Sequence, residues 1–201
     1  MKIAFILYDG VTLLDFAGAY DPLTRLVTMG FVPDLEYCTC ARRERIRSFE
    51  GVELAVDTVC PDLAGFDYVV IPGGNGIGDR IRDREFIAWL AIHPGTTTVA
   101  AVCGGALLAG AAGMLRTRRA TTHPGFQEVL KRFAREVSRD RIVEDDHVIT
   151  AGGVTAAIDM GLYLCEKIAG RDVRMKIQKQ MDYPYCPEYP ESPENTPGSQ
   201  P

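Results

Sequence analysis

The 201-residue chain is predicted to be a doubly wound α/β protein, a mostly parallel sheet with helices on both faces. Three observations predict it. Short apolar runs alternate with segments whose apolar residues recur at helical spacing. Two of the runs, Tyr68 to Ile71 and Thr98 to Val102, lack the in-out alternation of a half-exposed strand, as expected where both faces are covered. Turns at Asp9-Gly10, Pro72-Gly-Gly74 and Cys103-Gly-Gly105 lead from strands into helical segments, the connection that parallel strands require.

In chain order, Lys2 to Leu7 is the first buried strand. Thr12 to Met29 is helical in composition. Pro22 after Asp21 predicts a break and a fresh start, giving two consecutive helical pieces that stop at Gly30. Leu35 to Ala41 and Val52 to Val56 read as strands separated by a charged loop, Arg42 to Arg47. Gly65-Phe-Asp67 opens the strand Tyr68 to Ile71, which ends at Pro72. A helix over Arg84 to Ile92 precedes the strand Thr98 to Val102, and a helix of small residues, Ala106 to Ala112, follows it. Gln127 to Arg135 reads as a helix, and Ile142 to Ala151 as a hairpin turned at Asp145-Asp146. Thr155 to Ala169 is an apolar helix introduced by Gly152-Gly153 and stopped by Gly170. Residues 1–181 are expected to form one domain. Residues 182–201, with six of the twelve prolines, are expected to be a Pro-rich acidic arm.

Charge and composition exclude several functions. There are 22 basic and 27 acidic side chains, a net charge of −5, of which the tail holds four acidic residues and no Lys or Arg. The nearly neutral body lacks the basic surplus of a nucleic-acid binder, and Arg116, Arg118 and Arg119 read as a solvated turn. No apolar run approaches the ~20 residues of a membrane span. Cysteines 38, 40, 60, 103, 165 and 186 include no Cys-x-x-Cys pair and have no His at ligand spacing. A disulfide framework and a structural zinc are therefore poor readings, and a reducing cytoplasm is expected.

In an open α/β sheet the ligand crevice lies beyond the carboxyl ends of the strands, which singles out the 9–15 loop, Pro72-Gly-Gly74 and Cys103-Gly-Gly105. Cys103 sits between a buried strand and a helix, the strand-turn-helix elbow of a nucleophile. The helix N-terminus aimed at the sulfur predicts a thiolate, against an unperturbed pKa of about 8.5. The other five cysteines read as packed bystanders. Gly74 and Gly104 can offer backbone N–H groups where negative charge develops, although Pro72-Gly-Gly74 reads equally as a plain tight turn. Asp15, flanked by Leu14 and Phe16, is either a helix-capping carboxylate or an acid whose desolvation lets it carry a proton at neutral pH. His123 either orients the sulfur or lies in a surface loop. His93 and His147 read as surface histidines, and Asp159 as a satisfied structural carboxylate.

These residues carry a resemblance. The strand leading to Asp15, Ile71-Pro-Gly-Gly74, Ala101-Val-Cys-Gly-Gly105, Ala120-Thr-Thr-His123 and Thr150-Ala-Gly-Gly-Val-Thr-Ala156 resemble, over nearly the whole chain, the ThiJ/PfpI superfamily of class I glutamine-amidotransferase-like proteins. Leu14-Asp-Phe-Ala-Gly18 and Gly110-Ala-Ala-Gly113 are most similar to its isonitrile hydratases. The resemblance implies a flavodoxin-like sheet with a nucleophile elbow and a cytoplasmic homodimer that uses no cofactor or metal. Cys103 would be its nucleophile and Asp15 its acid. Gly74 and Gly104 would be its amide donors, with Thr122 and His123 in support. The implied partner is a small electrophile, hydrated to an N-substituted formamide, with no nucleic acid or membrane involved. Gly104 and Pro124 depart from the pattern, since isonitrile hydratases carry Thr and an aromatic residue there. A glyoxalase or deglycase-like activity on 2-oxoaldehydes and a non-enzymatic thiol redox sensor are the alternatives.

Overall fold

The computed structural model describes residues 1–92 and 95–185, so the readings placed on His93, Cys186 and most of the tail lie outside the described residues. Seven strands form one sheet in the order β10-β11-β7-β6-β1-β2-β5. They are β1 (Lys2–Ile6), β2 (Glu36–Ala41), β5 (Thr58–Val59), β6 (Tyr68–Ile71), β7 (Thr98–Val102), β10 (Ile142–Asp145) and β11 (Val148–Ala151). All pairings are parallel except that of β10 with β11, the edge hairpin. Apart from β5 and β10, the order is that of a flavodoxin-like doubly wound sheet, whose switch point falls between β1 and β6.

The apolar runs divide by parity between two cores. Ala4, Ile6, Val69, Ile71, Val99 and Ala101 face one core. It is closed by α2 (Ile77–Arg82), α3 (Arg84–Leu90), α4 (Gly105–Ala111) and α5 (Gln127–Leu130). Ile3, Phe5, Val70, Ala100 and Val102 face the other, under α1 (Leu13–Thr28), α6 (Ala156–Ala169) and α7 (Arg171–Gln180). Burial on both faces explains why the central strands show no polar alternation.

Several expectations are corrected. Thr12 to Met29 is not two pieces: α1 runs unbroken through Pro22. A proline inside a helix costs roughly 3 kcal/mol, and close packing on α6 offsets it. A Cβ at Gly18 would stand 2.8 Å from Ala157 Cβ, and one at Gly161 2.9 Å from Pro22 Cγ, so small residues let the helices approach closely. The Cys165 thiol also donates to the Pro22 carbonyl at 3.3 Å. The Arg42 to Arg47 segment is not all loop, because β3 (Arg45–Arg47) pairs antiparallel with β4 (Glu53–Ala55) in a separate ribbon. Its Arg-Ile-Arg pattern buries only Ile46, which leaves little apolar signal. The helix expected over Gln127 to Arg135 ends at Leu130, and the chain turns toward β9 (Glu136–Val137), which pairs with β8 (Arg119–Ala120). The helical segment expected after Gly74 is α2, six residues long, while α7 escaped the sequence reading because it is highly charged and buries only Arg174 and Ile177. Among the described residues no helix is long and apolar enough to cross a membrane, and no group of three or more His, Cys, Asp or Glu could hold a metal ion.

Candidate active site

The loops after β1 and β6 meet at the switch point, and the β7–α4 elbow stands beside them. Tyr8 at the end of β1 donates its buried hydroxyl to the Pro72 carbonyl at 2.9 Å. Thr12 N–H donates to Gly73 O at 3.0 Å, and Val11 bridges Gly74. Glycine is required at 74: its φ is +150°, and a Cβ there would lie 2.2 Å from the Gly10 carbonyl oxygen. The two loops are thereby sewn into one floor.

Cys103 has φ +57°, a left-handed conformation that costs a non-glycine residue roughly 1–2 kcal/mol. Its surroundings hold it there. The Cys103 N–H is shared by the carbonyls of Ala151 and Gly152 at 3.0 and 2.9 Å, and its own carbonyl accepts from Thr122 Oγ1 at 2.6 Å. Gly105 then packs α4 directly on the end of β6, where a Cβ would meet Ile71 O at 2.1 Å. The elbow is thus built, and a buried Thr122 supports it.

Asp15 is fully buried in the first turn of α1, and neither carboxyl oxygen meets a donor at hydrogen-bonding geometry. It is therefore not a cap. Burial pushes its pKa from 3.8 to about 7; the nearby Cys103 thiol and Gly73 N–H pull the other way, and the charge of Glu50 adds to the rise. Gly73 brings the pair together, because the point where its Cβ would stand is 2.8 Å from Asp15 Oδ2, 2.9 Å from Cys103 Cβ and 2.7 Å from Gly104 N. No side chain larger than hydrogen fits between the Asp15 carboxyl and Cys103.

The expected thiolate is corrected. Cys103 is 6% exposed, and burial, reinforced by the facing Asp15, pushes its pKa up to about 12. The N–H groups of Gly104 and Val154 pull it down without prevailing. Val154, a donor that sequence reasoning missed, is delivered by the Gly152-Gly153 turn, whose link to the sulfur is purely tertiary. The resting site is a thiol beside a carboxyl that titrates near neutrality. Because the charge on Asp15 is one cause of the thiol's high pKa, passing the thiol proton to Asp15 removes that opposition, and the two groups share one negative charge.

The remaining expectations fall around this pair. His123 is half-buried. Its Nδ1 accepts the Gly125 N–H at 3.1 Å, capping the turn Pro124–Phe126, and its ring covers Gly153, where a Cβ would come within 2.4 Å of Cδ2. Among the described residues no hydrogen bond joins it to the thiol. Ile77 and Phe126 cover Gly104, whose Cβ would stand 1.9 Å from Ile77 Cδ1 and 3.2 Å from Phe126 Cε2. They fill the space a larger residue would need and leave an apolar wall. Asp159 is buried at 1% exposure and paired with Arg141 and with Tyr183 Oη, which makes it structural. Arg118 and Arg119 pair with Asp146 and Asp140.

Known proteins resemble this chain in sequence and fold. The isonitrile hydratase of Pseudomonas putida is 31% identical over 202 residues, covering 99% of this chain and 86% of that protein. Protein DJ-1alpha of Drosophila melanogaster is 27% identical over 195 residues, covering 90% and 84%. The crystal structure of a ThiJ/PfpI family protein from Pseudomonas syringae superposes with a TM-score of 0.82 at 25% identity, covering 94% of this chain and 77% of that one. The model of the DJ-1/PfpI family matches residues 1–167, a span that holds both sheet faces, the elbow and Asp15, and the chain belongs to that family.

Proposed function

We propose that the protein is a cysteine-dependent hydratase that adds water to an isonitrile to give an N-substituted formamide. The observation that carries this reading is a buried carboxyl, pKa about 7, packed beside a buried thiol on a strained elbow. The isonitrile hydratase among the relatives supports the choice of substrate.

In the first step Asp15, as carboxylate, takes the thiol proton while the Cys103 sulfur bonds to the terminal carbon of the isonitrile. Asp15 then returns that proton to the same carbon, giving a thioimidate with one new C–S and one new C–H bond. Water next adds to the thioimidate carbon, its protons passing to the nitrogen and, through Asp15, to the departing sulfur. The C–S bond breaks, and formamide and free thiol leave the cycle balanced as isonitrile plus water. A carboxyl titrating near pH 7 serves both directions of proton transfer, which an ordinary carboxyl near pH 4 does poorly. The amides of Gly104 and Val154 stabilise charge on sulfur as it arrives and departs.

The test follows an aryl isonitrile by ultraviolet absorbance with wild type, Cys103→Ala and Asp15→Asn. Formamide from wild type alone is expected. No formamide, or equal formation by Cys103→Ala, rejects the reading. The thiol-sensor alternative is disfavoured by the burial that raises the Cys103 pKa, since the thiolate is the form that peroxide attacks.

A further inference from the structure

The first turn of α1 lacks a local cap: Thr12, its N-cap residue, makes no side-chain hydrogen bond to the helix. The missing acceptor comes from 37 residues away. Both carboxylate oxygens of Glu50 accept the Leu13 N–H at 3.2 Å, two residues before Asp15. The turn carrying Glu50 joins β3 to β4 and is itself fixed. Ser48 Oγ accepts the Val52 N–H at 3.2 Å, Gly51 takes φ +89°, and the Phe49 N–H donates to Val11 O at 2.8 Å. Gly10 N–H reaches Arg47 O at 2.8 Å, so the chain leading into Glu50 is fastened to the site loop at two points, Arg47 and Phe49. A surface carboxylate is thus held at one place beside a buried one.

We propose that Glu50 is a positioning residue that keeps the proton on Asp15, holding the start of α1 through Leu13 while its negative charge disfavours a second carboxylate next to it. The inference rests on Asp15 acting as the proton carrier. The other groups facing Asp15 are the Cys103 thiol, the Gly73 N–H and the Tyr8 phenol. Arg80 acts on Tyr8, and the nearby Asp9 is paired with Arg43. Among these only Asp9 is a partly exposed carboxylate, and Arg43 neutralises it, so the contribution of Glu50 is separable by substitution and by salt. The sign is definite: removing the charge stabilises Asp15 as carboxylate and lowers the pH at which the pair loses its first proton.

Carbamidomethylation of Cys103 by iodoacetamide from pH 5 to pH 10, read on the Cys103 peptide by mass spectrometry, follows the pair without any substrate. Glu50→Gln keeps an acceptor for the Leu13 N–H and loses the charge. It is expected to move the first rise in alkylation rate down by about half a pH unit, the effect of one charge across several Å of wet surface. Salt is expected to move wild type the same way and to leave Glu50→Gln in place. The rising limb of isonitrile turnover, which reports the same first proton loss, shifts down by the same amount. A midpoint unchanged in Glu50→Gln, whether or not Glu50→Ala moves it, overturns the inference. A shifted alkylation midpoint without any isonitrile turnover keeps Glu50 in its role and rejects the proposed substrate instead.

Discussion

Gly73→Ala probes the close approach of Asp15 to Cys103 without replacing either. Gly73 is outside the left-handed region, so its backbone accepts alanine and the added methyl is the whole perturbation. That methyl would lie 2.7 Å from Gly104 N, 2.8 Å from Asp15 Oδ2 and 2.9 Å from Cys103 Cβ, each well inside van der Waals contact. The Gly104 amide is backbone at the head of α4 and yields little, so Asp15 and the elbow must part by several tenths of an ångström. Overpacking of this kind costs about 1–3 kcal/mol. At roughly 2–4 °C per kcal/mol for a chain of this length, the melting temperature falls by several degrees. Turnover should fall further, by about one order of magnitude, since a full ~1 Å displacement between reacting groups costs about two. Gly78→Ala in α2, where a Cβ meets nothing within 4 Å, is the control and should melt no lower than wild type. Isonitrile turnover is read by absorbance and stability by thermal melting. Wild-type turnover in a Gly73→Ala protein that melts several degrees lower would refute the claim that the close approach of Asp15 to Cys103 drives the reaction.

Three further outcomes follow from the same geometry. The native pKa of Asp15, about 7, lies above the value near 3.9 of an unfolded aspartate. Its stabilising proton uptake is therefore complete below about pH 4 and lost as pH rises through 7; Asp15→Asn should be inactive, yet at pH 8 more stable than wild type by up to about 4 kcal/mol, with a smaller gain at pH 5 in thermal melts. Gly104→Thr collides with Ile77 Cδ1 and should lower stability and turnover, and adding Ile77→Ala should restore part of both; double-mutant melts that add without coupling count against the packing described. Thr122→Val strips the Cys103 carbonyl of its hydroxyl donor in a buried setting and should cost about 1–3 kcal/mol by denaturant titration, against near-zero cost if the elbow holds without it.

The parts of the fold legible in the sequence are those whose signal is local. β1, β6 and β7 bury both faces, so their residues are apolar throughout, and the glycines at 10, 73, 74, 104 and 105 mark the turns that end them. The location of Cys103 and Asp15 followed from the rule that ligands gather beyond strand ends. The state of the thiol did not, because the dipole argument is local whereas desolvation and the charge of Asp15 arise only when α1 packs against the elbow. Pro22 misled for the same reason: its local cost is overridden by α6, 140 residues away. Val154 lies within the Thr150–Ala156 motif, but its link to the sulfur, like the place of Glu50, comes from a contact made only in the folded chain.

Rapid quenching of wild-type protein with an aryl isonitrile, followed by mass spectrometry of the Cys103 peptide, tests the central claim most directly. An adduct of the full isonitrile mass on Cys103, appearing before formamide and decaying as formamide accumulates, is the predicted result. Formamide that forms with no adduct and survives in Cys103→Ala would contradict it.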